Sequence, residues 1–111
     1  MSHHPIPEPL EVKYVTVSEL RRRFNEGQYW ERAKSGEFIE EVRSQNRPAE
    51  PLDGETDEIM SQMVSYLKDG VEIARVHQYV RPDGSLAAFG KPDPKKLLED
   101  GVVFCQERKR S

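Results

Sequence analysis

The residues best suited to chemistry lie in one short run. Arg75, His77, Tyr79 and Arg81 alternate along ARVHQYVR, so an extended backbone carries all four side chains on one side in steps of roughly 7 Å. Histidine titrates near neutrality and is a candidate general base. Arginine and tyrosine are over-represented in binding hot spots, since each combines contact area with a polar handle. Tyr66 and Phe89 are expected on the same face, and Lys91 stands just beyond it. The pattern reads as a binding surface and assigns no catalytic residue. No Ser/Cys-His-Asp order can be defended, because Cys105 lies far along the chain in an expected strand. Asp83 and Asp93 sit in Pro-Asp contexts, where they stiffen a turn or cap a helix. Neither a Gly-x-x-x-x-Gly-Lys-Ser/Thr nor a Gly-x-Gly-x-x-Gly run occurs, so no familiar cofactor is implied. His3 and His4 fall short of the three or four fixed ligands of a metal site.

Turns position that row. Asp69-Gly70 fits a type I′ hairpin between strands Ser61–Lys68 and Val71–Arg81, and Arg81-Pro82-Asp83-Gly84 fits a type I turn leading into a strand Ser85–Phe89. With Asp69-Gly70 as the whole loop, Tyr66 faces Ile73. With Pro82-Asp83-Gly84 as the second loop, Tyr79 faces Ala87 and His77 faces Phe89. Met63, Leu67, Ala74, Val76, Val80, Leu86 and Ala88 then form the covered face, interrupted by Gln78, which needs a hydrogen-bond partner if buried.

Upstream, Glu11–Val17 alternates as a first strand, and Thr16-Val17-Ser18-Glu19 fits a capping box. The helix it opens buries Leu20 and Phe24 and ends at Asn25-Glu26-Gly27. A second helical stretch is expected from Tyr29 to about Ser44, broken at Ser35-Gly36, with Phe38, Ile39 and Val42 at helical spacing after the break. A Pro- and acid-rich linker covers about 45–58. Downstream, Asp93 as N-cap and Pro94 at the first helical position predict a helical turn over Lys95–Glu99, stopped by Asp100-Gly101. A last strand covers Val102–Gln106. These elements give an α+β domain over 11–106 in the order β-α-α-β-β-β, an antiparallel meander with two N-terminal helices on one face. A flexible leader (1–10) precedes it and a charged tail (107–111) follows.

Composition narrows the class. In 111 residues, 33% are charged and 35% hydrophobic, with a mean hydropathy of −0.82; one modest core is what such a chain can bury. No apolar run approaches the ~18 residues that span a bilayer, and the first twenty residues carry no secretory signal pattern. One cysteine excludes an internal disulfide, which points to a reduced, cytoplasmic setting. The net charge is −3, against a protein that coats nucleic acid, but it is uneven. Residues 1–60 hold eight Lys/Arg and thirteen Asp/Glu, whereas residues 61–111 hold nine and seven, so a local basic face is compatible with the acidic whole.

The segment HQYVRPDGSLAAFGKPDPKKLLEDGV, His77 to Val102, resembles short bacterial proteins that pair a strand, an Arg-Pro-Asp-Gly turn and a Gly-x-Pro-Asp-Pro-Lys loop. VSELRRRFNEGQYWERA is similar to their N-terminal part. That family has no assigned activity, so the resemblance implies a natural folded domain and no site. In element order the chain is also similar to small ribonuclease toxins of the RelE type. This second resemblance implies that Arg75, His77, Tyr79, Arg81 and Lys91 hold phosphate and aid proton transfer. Three readings follow: a non-catalytic module binding another protein (adaptor, immunity or antitoxin-like), an RNA-binding or RNA-cleaving domain on the same face, and a structural homo-oligomer, such as a homodimer, through that face or an edge strand such as Ser61–Lys68. The first is preferred.

Overall fold

The computed structural model describes residues 11–48, 59–87 and 90–107. Its elements run β1 (Glu11–Val15), α1 (Val17–Glu26), α2 (Tyr29–Lys34), β2 (Ile39–Pro48), β3 (Met60–Lys68), β4 (Val71–Val80), β5 (Asp93–Glu99) and β6 (Val102–Gln106). The mixed α+β class is as expected. The six strands lie in the order β1-β6-β5-β4-β3-β2. From β2 to β6 consecutive strands are antiparallel neighbours, but β1 joins at the far edge parallel to β6, so the sheet is not a simple meander.

Helix α1 starts where the sequence says it should. Thr16 Oγ1 accepts a hydrogen bond from the Glu19 amide at 3.1 Å, satisfying one orphan donor of the first turn. Glu19 does not reach back to complete the box; its carboxylate pairs with Arg22 and Arg23. Leu20 and Phe24 are buried one helical turn apart, and Gly27 follows the helix. Arg23 is not a free surface cation, because its guanidinium lies 3.9 Å from the Phe104 ring centroid and pairs with Glu99 at 2.9 Å.

The expected helix from Tyr29 to Ser44 stops at Lys34. Gly36 takes φ +92°, a left-handed conformation that glycine adopts without steric cost, and Ile39 begins β2. Phe38 supplies the reason: it is buried in an aromatic stack with Tyr29 and Tyr66, centroids 6.2 Å away in both cases. Ile39 and Val42 are exposed, so their spacing after Phe38 was not a helical stripe. Residues 45–48, assigned to the linker, continue β2 instead; the remainder of that segment lies outside the described residues, as do the leader and most of the tail.

The Asp-Gly pairs at 69–70 and 100–101 make type I′ turns. Asp69 and Gly70 have φ +51° and +79°, and Asp100 and Gly101 have +49° and +78°, matching the right-handed twist of the strands they join. The second pair overturns the helical turn at Lys95–Glu99. Asp100-Gly101 folds β5 back onto β6, with Leu97 opposite Phe104, and Leu97 is fully buried. Asp93 and Pro94 open this strand, not a helix. The expected strand Ser85–Phe89 shrinks to one bridge, Val80 with Leu86, and an Ala87 amide bonded to the Tyr79 carbonyl. That register is the one expected for Tyr79 and Ala87. His77, however, faces Asp93, while Ala88 and Phe89 lie outside the described residues.

The helices cover one face of the sheet. Leu20, Phe24, Tyr29 and Ala33 pack there against Val64, Tyr66, Ala74, Val76, Leu97 and Phe104. Tyr66 is therefore core, not binding surface. The cause is a bulge: Lys68 pairs with Val71 and Leu67 with Glu72, but Tyr66 pairs with Ala74. The extra residue, Ile73, moves Tyr66 and Val64 to the helix side and Met63 and Leu67 to the other. The Tyr66 hydroxyl finds no hydrogen-bond partner among the described residues. Gln78 does find the partner it needs, the side chain of Gln62 across the strand at 3.1 Å.

Candidate functional site

On the sheet face away from the helices, β4 presents Arg75, His77 and Tyr79. Arg75 is neutralised in place: its Nε and Nη2 donate to the two Glu72 oxygens at 2.9 and 3.1 Å. The Ser65 hydroxyl also donates to that carboxylate, and Lys96 Nζ stands 3.4 Å away. Burial pushes the Glu72 carboxyl up, but the hydrogen bonds from Arg75 and Ser65 outweigh it and hold the group below its ordinary value.

His77 Nε2 lies 2.6 Å from Ser61 Oγ, and its ring meets Tyr79 edge-on at 4.8 Å. Burial and the nearby Lys95 ammonium lower the imidazole below its ordinary 6.5, against an opposing pull from Asp93. The ring is thus neutral at pH 7. The sign for stability follows: the native state disfavours the protonated ring, so the stabilisation is intact above about pH 6.5 and is lost as the pH falls through the lower native value. His77→Gln is expected to flatten the melting-temperature profile between pH 7 and 5; a profile unchanged by the substitution would assign that dependence to other groups.

Arg81 serves its own turn. Its Nη1 donates to the Leu86 carbonyl at 2.8 Å and to Ser85 Oγ at 3.2 Å. Asp83 accepts from the Ser85 amide and hydroxyl, so it stiffens the turn as its Pro-Asp context suggested. Lys91 lies 3.4 Å from a Glu31 oxygen and 5.6 Å from the Trp30 ring centroid, tethering its loop to α2.

Where the chain leaves β4 before β5 begins, a cleft of about 330 Å³ opens between Arg21, His77, Gln78, Tyr79, Ala87, Lys91, Asp93 and Lys95. It unites three of the expected binding residues, His77, Tyr79 and Lys91, and excludes Arg75, Arg81 and Tyr66. Arg21, Asp93 and Lys95 were missed. Asp93 links them: one oxygen accepts from Arg21 Nε and the other from Lys95 Nζ, each at 3.0 Å. Burial raises the Asp93 carboxyl, but these two cations outweigh it and keep the group ionised. Among the described residues no hydrogen bond joins Asp93 to His77, and the Ser61–His77 contact stays a dyad. The Asp100-Gly101 hairpin makes Asp93–Glu99 a strand, and the pairing of that strand with β4 sets Asp93 beside His77.

The cleft holds three cations against one carboxylate in a chain of net charge −3. No group of three metal-ligating side chains occurs among the described residues, and none of the described helices is long and apolar enough to cross a membrane. The fold and site define a small α+β domain whose two described helices cover one face of the sheet. Compared with protein-family models, curated proteins and solved structures, the chain matches none.

Proposed function

We propose that this chain is a small, non-catalytic protein-interaction module that binds an acidic segment of another protein in the His77/Tyr79 cleft. The observation that carries this reading is the gathering of Arg21, Lys91 and Lys95 around a half-buried aromatic pair, with Asp93 as the one carboxylate. A carboxylate arriving from a partner would find cations already positioned, and Tyr79 would supply the contact area of a hot spot. Arg75 is held by Glu72 and Arg81 by its own turn, and neither lines the cleft. No cofactor enters this reading, and the lone cysteine suits a reduced cytoplasmic setting.

The test is a pull-down comparing wild type, Tyr79→Ala and Lys95→Glu, read by mass spectrometry and by absorbance at nucleic-acid and protein wavelengths. A stoichiometric protein is expected with wild type. Tyr79→Ala should weaken it by roughly thirtyfold, the scale of a hot-spot truncation, and raised salt should weaken it further. One observation favours a second reading: a neutral imidazole among cations is equipped to accept a proton from a ribose hydroxyl. Nucleic acid in the eluate, or RNA cleavage lost on His77→Ala, would replace the first reading with an RNA-directed domain of the RelE-like kind.

A further inference from the structure

The two edges of the sheet differ. At one edge, β2 is interrupted by two register shifts, carries Glu40, Glu41 and Arg43, and ends at Pro48, which has no amide hydrogen to offer. These are devices that discourage edge-to-edge pairing. At the other edge, β1 is regular through all five residues, proline-free and exposed over Glu11–Tyr14. Its outer side meets no strand among the described residues. Ser61–Lys68, expected from the sequence to be an edge strand, is instead an inner strand between β2 and β4.

The backbone polarity of β1 can be worked out. The Glu107 amide donates to the Val15 carbonyl at 2.8 Å, so Val15, Lys13 and Glu11 direct their backbone groups at β6. Val12 and Tyr14 then direct theirs outward, because adjacent residues of a strand alternate. Their side chains lie on the open sheet face, 49% and 69% exposed, beside Val103 and Cys105. Glu11 and Lys13 share the opposite face, 3.5 Å apart.

We propose that β1 pairs antiparallel with β1 of a second copy of this chain, about a two-fold axis through Val12. Charge favours that register over the one centred on Lys13. Centred on Val12, each Glu11 stands opposite the second copy's Lys13, giving two opposite-charge pairs. Centred on Lys13, the two ammonium groups would oppose each other, which is unfavourable directly across a ladder. The Val12 register uses the outward amides and carbonyls, keeps the helices of both copies on one side, and extends the six-stranded sheet into one continuous sheet. On its open face Val12 and Tyr14 of both copies join the half-buried Leu98, Val103 and Cys105. The pairing leaves the His77/Tyr79 cleft, on the far side of β5 and β6, free in each copy.

The experiment is sedimentation of the full chain across the micromolar range, with charge reversals. Wild type is expected to show a reversible dimer. Glu11→Lys and Lys13→Glu should each weaken it roughly tenfold by turning both cross-strand pairs into repulsions, and the double reversal should restore it. In a Cys105→Ser background, Val12→Cys should oxidise to a covalent dimer, because facing residues of a hydrogen-bonded antiparallel pair stand about 5.5 Å apart at Cα, within disulfide range. A monomer at every concentration, a dimer indifferent to the single reversals, or a double reversal that fails to restore it would each overturn the proposal. None of these readouts depends on the cleft having a partner.

Discussion

Phe24→Ala is expected to remove about 3–5 kcal/mol of stability, the usual loss for truncating a buried phenylalanine. The ring is 2% exposed, stacks on Tyr29 with centroids 5.9 Å apart, and tilts against Tyr66 at 6.5 Å. It is the point at which both helices and the central strands meet. The described residues form a single helix layer, and α2 is only six residues long, so few of these neighbours can shift to fill the space. Against a total stability of roughly 5–15 kcal/mol for a domain of ordinary size, the variant should sit near the edge of unfolding. Urea denaturation with an unchanged slope would measure the effect. A loss below about 1 kcal/mol would mean that the aromatic cluster is not the core.

The second large effect concerns the bulge in β4. Deleting Ile73 alone should leave the fold intact, because the ladder from the Asp69-Gly70 turn would then run unbroken and still bring Ala74 to Tyr66 and Val76 to Val64. The loss should be the packing of one half-buried isoleucine, about 1–2 kcal/mol. Deleting Ile73 and Arg75 together should unfold the protein. With no bulge left to absorb the second deletion, Val76 turns outward and His77 turns into the helix side, and every later residue of β4 changes face. Circular dichroism and urea titration of the two deletions distinguish the cases. A folded double deletion would show that the hairpin turn does not fix the register.

The same residues explain what could be read from the sequence. The first helix was legible to within a residue, because Thr16 supplies a local cap and Leu20 and Phe24 a local period. The pairing of Tyr79 with Ala87 across the second turn was legible for the same reason: Arg-Pro-Asp-Gly specifies its own geometry. Tyr66 was misplaced by Ile73, since nothing in a strand's alternation announces one extra residue. Ile39–Pro48 and Asp93–Glu99 were misassigned because their strand character comes from neighbours. Phe38 is held by Tyr66, and Leu97 by Ala74, and those contacts lie far along the chain. Asp100-Gly101 did carry the signal; the Pro-Asp-Pro-Lys that precedes it resembles a helix start and competed with it. The cleft inherits these errors. His77, Tyr79 and Lys91 were visible as residue types, whereas Arg21, Asp93 and Lys95 meet them only through the strand that was missed.

Arg21 belongs at once to the wall of the cleft and to the helix that carries Leu20 and Phe24 inward. Whatever competes for Arg21 or Asp93 therefore pulls on the same segment whose docking holds the core shut. An occupant that adds a counter-charge there makes the opening of α1 rarer, and the backbone amides of Arg23 to Gly27 would exchange with deuterium more slowly while it is bound. The cleft thus comes with its own reporter, several residues removed from any contact the occupant makes.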